Sequence, residues 1–378
     1  MKSERIRFKH IVVDANNPRH PHCKAAGDIT GNGYADLLAA SAADEGLFWY
    51  RYPDLVKTKI ADGTFTTDMD VVAVDGIVDV IIPSNKGLIW YRNPRHTGGD
   101  PADDPWIAVN ISPEGARMHD VQIADLDQDG QFEVVTRHQS GFGKRMGNAI
   151  HIWKEQPTGT WTHRTFPCPH GEGLEVADLD GDGLPDVIVG GRWYRNPGNV
   201  LEGEWIEHLY VPVEHFEREW TNGDVCVQAG DLTGNGRREI VLSPAEGSGR
   251  LSWFEAPDTL DEGFWSEHVL DGELDHAHGL GLADMDGSGQ LDIVVAKMHQ
   301  ASAPQEVCIY YNEGEAASWA KQVVATTGSH NIVLMDVNAT GRIDIYGANW
   351  NNVASTGGAI ELWLNEGDTE LADEMNEG

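Results

Sequence analysis

Four histidines of this chain fall at one position of a repeat. His22, His119, His278 and His330 each stand six residues before an aspartate, and the same position holds Met69, Glu172 and Val225 in the remaining copies. Side chains at equivalent places of a repeat can meet in space although the chain separates them. Three His, or two His with Glu172, match the donor set of a divalent metal such as zinc or manganese that keeps an open position. A metal so held acts as a Lewis acid on a carbonyl or carboxylate. A free His then takes the adjacent C–H proton, and another protonates the departing oxygen. A metal-free version uses the same histidines, with Arg137, Arg192 or Lys297 neutralising a substrate carboxylate. Both routes are β-eliminations, the work of a carbon–oxygen lyase or dehydratase.

His119, His278, His330 and His22 are the leading candidates for metal or acid/base roles, with Glu172 as a further ligand. His170, His138 and His299 follow, and Arg137 and Lys297 are candidates for substrate charge. A lone His of this kind is more often a satisfied core or surface residue. The chain has 16 His, however, and strand packing does not require imidazole at one repeat position. Trp193, Trp220, Trp350 and Phe142 are candidate rim aromatics, and Gly141, Gly143 and Gly147 mark a flap that carries Lys144 and Arg145.

The elements that must position these residues follow from the repeat. Asp28, Asp125, Asp178, Asp231, Asp284 and Asp336 each open a phrase such as DLDGDGLPDVI, with oxygen-bearing side chains third and fifth, Gly sixth and an acid ninth. A worn copy around Asp75 fills the one double gap, giving seven units. A period of roughly 50 residues indicates repeated supersecondary units. Each unit reads as four short strands separated by Gly, Pro and Asn turns. The expected fold is all-β: a seven-bladed β-propeller of four-stranded antiparallel blades. It forms one domain over residues 1–378, with an acidic tail from about 367. The last unit lacks a fourth strand, and RFKHIVVD near the N-terminus is expected to supply it. Recurrent third-strand tryptophans (Trp49, Trp90, Trp153, Trp253 and Trp363) are assigned to blade packing.

The phrases themselves offer oxygen ligands at alternate positions, a Gly for the turn and a closing acid, as calcium requires. The expected calcium ligands are Asp125, Asp127, Asp129 and Glu133; Asp178, Asp180, Asp182 and Asp186; and Asp284, Asp286 and Asp292. The competing view is a turn in which Asp bonds backbone amides. Ions bound here would be structural.

These D-x-[DNT]-x-[DNST]-G-x-x-[DE] repeats resemble the FG-GAP/VCBS repeats of calcium-binding propellers, including integrin heads. The resemblance covers nearly the whole chain and implies the fold and the calcium. More loosely, the propeller with its histidines is similar to sugar lyases and dehydratases of the aldos-2-ulose dehydratase type and to propeller polysaccharide lyases. That likeness implies β-elimination on a keto-sugar or a uronate-containing glycoside. The alternative is a non-catalytic, calcium-stabilised propeller that binds a glycan or protein.

Composition narrows the partners. A net charge of -34 and a pI near 4.6 argue against nucleic acid, which needs a basic surface. No stretch suits a membrane span, and the sequence leaves the oligomeric state open. The start lacks a signal-peptide core, so a cytoplasmic protein is expected if that start is native, and a secreted or periplasmic one if a signal peptide was trimmed. Cys23, Cys168, Cys226 and Cys308 form no CxxC pair and read as thiols rather than disulfides.

Overall fold

The mostly apolar runs that leave the Asp phrases become the second strands of the blades, among them Asp36–Ser41, Glu133–His138, Asp292–Ala296 and Asp344–Ala348. Nearly every side chain in them is buried, as an unbroken apolar run predicts for a strand covered on both faces. The outermost strands are more exposed, as Val56–Ala61 is. The computed structural model describes residues 5–15, 18–65, 67–113, 118–139, 148–220, 223–260, 263–350 and 358–368.

Seven four-stranded antiparallel sheets result. The innermost strands are Pro21–Gly27, Asp70–Val74, Met118–Ala124, Glu175–Ala177, Val225–Gly230, Gly279–Ala283 and Ile332–Met335. Each contacts both neighbours, and the first contacts the seventh, so the ring is closed. The closing blade is composite: N-terminal Ile6–Asp14 pairs with C-terminal Ile360–Asp368, as expected, with Lys9 opposite Leu364. This covers two edges that would otherwise be open to pairing with another chain. The last strand keeps Gly367 and Asp368 out of the expected tail, and 369–378 lie outside the described residues. Among the described residues no helix is long and apolar enough to cross a membrane.

The core lies between blades. Each of seven hydrophobic clusters joins the facing sides of two neighbours. The five third-strand tryptophans are buried there as assigned.

The ninth-position acid of each phrase is fully buried, and Asp36, Asp186, Asp292 and Asp344 fasten their loops to the backbone at the end of the third strand. Asp186 accepts from Leu179 N–H at 3.0 Å and Asn196 N–H at 2.8 Å, and Asp292 does the same with Met285 and Asn312. The asparagine then reaches the preceding blade. Asn93, Asn196, Asn312 and Asn365 donate Nδ2–H to the carbonyls of Ile29, Leu126, Leu232 and Met285. These latches tie blade to blade where no strand pairing does. Asn312 is 1% exposed, so Asn312→Ala should strand a buried carbonyl and cost about 1–3 kcal/mol. A urea-unfolding midpoint unchanged by the substitution would show that the latch contributes nothing.

In the worn second copy, Asp75 and Gly76 have φ of 52° and 75°, between paired Val74 and Ile77. A two-residue hairpin turn of the primed type has replaced the loop. The fastening acid survives as Asp79, which accepts from Asn93 N–H at 2.7 Å. Two elements were not expected, a short 3-10 helix at Pro94–Thr97 and the helix Val213–Glu219 between the fourth and fifth blades. The seven residues of the latter are too few to show a helical period.

Candidate functional site

Each innermost strand starts near the repeated His position and ends at the Asp loop, so the two sets of residues occupy opposite ends of the axis. At the His end, five blades contribute to one cluster. Glu172, 1% exposed, lies between two imidazoles: its carboxylate is 3.0 Å from His119 Nε2 and 3.3 Å from His278 Nε2. The His278 ring is 4.2 Å from that of His330, and His330 Nε2 is 3.2 Å from His22 Nε2. His278 Nδ1 meets Asn331 Oδ1 at 2.8 Å, and His119 Nδ1 faces Asp120 at 3.4 Å. His299 stacks on Trp350 with centroids 4.9 Å apart, beside His330. Below the cluster a cavity of 170 Å³ runs between the innermost strands, lined by Lys24, Asp68, Asp120 and Gln228 among others.

Electrostatics divide the four histidines into two pairs. Burial alone would raise the Glu172 carboxyl, but His119 and His278 outweigh it and hold the group well below the usual carboxylate range. In return, Asp120 and Glu172 overcome the burial of His119 and raise its imidazole well above its ordinary range. His278 is raised too, by Glu172 against burial. His22 and His330 go the other way. Burial and then the neighbouring imidazoles push both well below the ordinary value. A hydrogen bond between two ring nitrogens needs one bare and one protonated, which two neutral rings provide. The other nitrogen of His330, Nδ1, is buried without a hydrogen-bond partner.

Carboxylates crowd the same place. Glu172, Glu246 and His278 present ligand atoms that all lie within 4.8 Å of one another. Burial followed by Glu172 raises Glu246, and burial with Glu172 and Glu246 pushes Asp224 up to about 7. Asp120 and Asn331 directly follow repeat-position histidines, and Asp224 directly precedes Val225 at the same position. That adjacency was the available signal for all three, because residues flanking a register position reach the same pole.

Other expected residues lie elsewhere. Arg137 is 1% exposed and donates to the carbonyls of Gly173 and Pro169; the guanidinium holds backbone and is not presented to a substrate. Lys297 lies 3.6 Å from Asp275, and Arg192 2.7 Å from Glu207. His138 pairs with His151 at 3.1 Å on the third blade, outside the central cluster. His170 is half-buried two residues before Glu172. Trp193 and Trp220 are fully buried, so they pack blades and form no rim; Trp350 alone of the described rim candidates adjoins the cluster. Phe142 and the flap with Lys144 and Arg145 fall outside the described residues. No disulfide joins the four cysteines; Cys23 and Cys308 are buried, Cys168 and Cys226 half-buried.

At the opposite pole the first Asp of each phrase caps its own turn. Asp178 accepts from Gly181 and Gly183 N–H, and Asp284 from Ser288 and Gly289 N–H. Three acid groupings there have cation-binding spacing: Asp125, Asp127 and Glu133; Asp178, Asp180 and Asp186; Asp284, Asp286 and Asp292.

No protein-family model matches the chain. Over 269 residues it is 23% identical to cartilage acidic protein 1 of Xenopus tropicalis, covering 61% of this chain and 40% of that protein. Over 161 residues it is 24% identical to integrin alpha-PS2 of Drosophila melanogaster, covering 37% of this chain and 11% of that one. The chain thus spans less than half the length of these curated relatives. Among solved structures, BBS1N in complex with ARL6DN superposes with a TM-score of 0.58 at 14% identity, covering 96% of this chain and 98% of that chain. None of the three is named as a carbohydrate lyase. The superposition supports the β-propeller fold, and the integrin likeness is compatible with repeats of the FG-GAP type.

Proposed function

We propose that the His-lined pole is the active site of a carbon–oxygen lyase that performs β-elimination on a keto-sugar or a uronate-containing glycoside. The observation that carries this reading is the contact between two oppositely poised imidazole pairs. His119 and His278 share Glu172, His22 and His330 share one another, and the His278 and His330 rings are 4.2 Å apart. Neighbouring groups whose environments drive their protonation apart are suited to be acid and base. Neutral His330 takes the C–H proton beside the carbonyl or carboxylate, through the Nδ1 that has no partner. Charged His119 returns a proton to the departing oxygen. Trp350 supplies a flat apolar face beside the cluster for a sugar ring.

Once His278 gives up its proton, Glu172, Glu246 and His278 would hold a divalent cation such as zinc or manganese in its place; two carboxylates and an imidazole within 4.8 Å fit one. When bound, it supplies Lewis-acid polarisation of a carbonyl or carboxylate oxygen. Elimination creates a conjugated double bond, so ultraviolet absorbance should rise on incubation with keto-glycosides or uronate polymers. His330→Ala and His119→Ala should each slow that rise by about 10²-fold or more. No absorbance change across both substrate classes would sink the proposal.

A second reading, a non-catalytic propeller that binds a glycan or protein, draws on the local likeness to integrin alpha-PS2. It expects ligand binding to survive His330→Ala.

A further inference from the structure

The Asp phrases differ in acid content, and the chain supplies its own cations to the acid-rich ones. At the Asp125 phrase, Lys154 Nζ lies 2.8 Å from Asp127, 2.9 Å from Asp129 and 2.6 Å from Glu133. At the Asp178 phrase, Arg195 Nε lies 2.7 Å from Asp180. At the Asp284 phrase, Arg5 from the N-terminal segment lies 2.7 Å from Asp286, with its guanidinium over Tyr311. The Asp231 and Asp336 phrases carry Thr, Asn or both at the third and fifth positions, and no ion pair reaches them among the described residues. Two of the donors share one repeat position: the residue after the third-strand aromatic is Arg51, Arg92, Lys154 and Arg195 in the first four blades. Arg51 turns to Asp54, and Arg92 approaches Asp79 at 3.9 Å.

Only Lys154 occupies the centre of its loop. An ammonium has three donors, and each finds a different carboxylate. Calcium needs those same oxygens at 2.3–2.6 Å, which would put two cations in one small space. The donors of this phrase therefore do not fit calcium while Lys154 is in place. The geometry of the other two phrases is different: Arg195 meets Asp180 through Nε, and Arg5 meets Asp286 through one terminal nitrogen.

We propose that Lys154 is the resident cation of the Asp125 phrase, which has the composition of a calcium site but takes no divalent cation until that lysine is removed. The test uses the full chain, stripped with EDTA and titrated with calcium chloride by calorimetry with a direct ion count. Lys154→Met should bind one more calcium per chain than wild type and gain more thermal stability from it. Lys154→Arg should match wild type. Asp127→Asn should leave the wild-type calcium count unchanged but abolish the extra ion of Lys154→Met. A wild-type count that falls by one on Asp127→Asn overturns the proposal, and so does a Lys154→Met count equal to wild type. Should Lys154→Met not fold, the comparison of Asp127→Asn with wild type decides alone.

Discussion

Glu172→Gln should cut the elimination rate by about 10²–10⁴-fold while leaving the propeller folded. The amide keeps the shape of the carboxylate but removes the one charge that His119 and His278 share. His119 retains Asp120 as a partner, whereas His278 keeps only Glu246 as a nearby acid and Asn331 as a neutral contact. Breaking a buried ion pair usually costs about 3–5 kcal/mol because a charge is left without compensation. Here the imidazole can shed its proton, so the stability loss is capped by the free energy of deprotonating His278 near neutrality. A large loss of rate with a small shift in melting temperature is therefore the expected signature. Full activity in Glu172→Gln would leave Glu172 a purely structural residue and remove the group that polarises the site. A matched His138→Ala, on the third blade and outside the cluster, should leave the rate near wild type.

The cluster was legible because the repeat acts as a ruler. Counting back from each first Asp gave His22, His119, Glu172, His278 and His330, and closure of the ring brings those positions together whatever lies between them in sequence. The composite last blade was legible for the same reason, since a unit lacking a strand at one end matched a spare strand at the other. What the period does not carry is radial direction. Arg137 and Lys297 are at comparable strand ends, yet Arg137 turns into the blade to bind two carbonyls. Trp193 and Trp220 sit at the same pole and pack inward. Partnerships between blades were also hidden. Asn196, Asn312 and Asn365 looked like turn residues and prove to be latches. Lys154 directly follows the third-strand Trp153, while its ammonium reaches back to a phrase more than twenty residues upstream. In each case the missing information is a side-chain direction, fixed by packing between units and not by the pattern within one.

Lowering the pH from about 8 to about 5.5 should raise the melting temperature of the EDTA-treated protein by at least a few degrees. The reason is a set of fully or partly buried carboxyls whose protonated form the fold favours. Burial pushes Glu175 up to about 8, Asp68 to about 7, and Asp70, Asp36 and Asp344 to about 6. Each is raised above its unfolded value, so between the two values the folded state binds more protons than the unfolded chain. Stability then falls as pH rises through that window and is greatest below it. Mutual repulsion under a net charge of -34 acts in the same direction. The histidines act in opposite directions: His119 and His278, raised, add stability at lower pH, while His22 and His330, lowered, subtract it. Glu175 isolates the effect. It lies on the innermost strand of its blade and accepts from Gln228 Nε2–H at 2.7 Å, a bond that a glutamine at 175 can also accept. Glu175→Gln should melt higher than wild type at about pH 8, with the gap closing by about pH 5.5. A variant that melts lower than wild type at both pH values would mean that the ionised carboxylate is the form the channel requires.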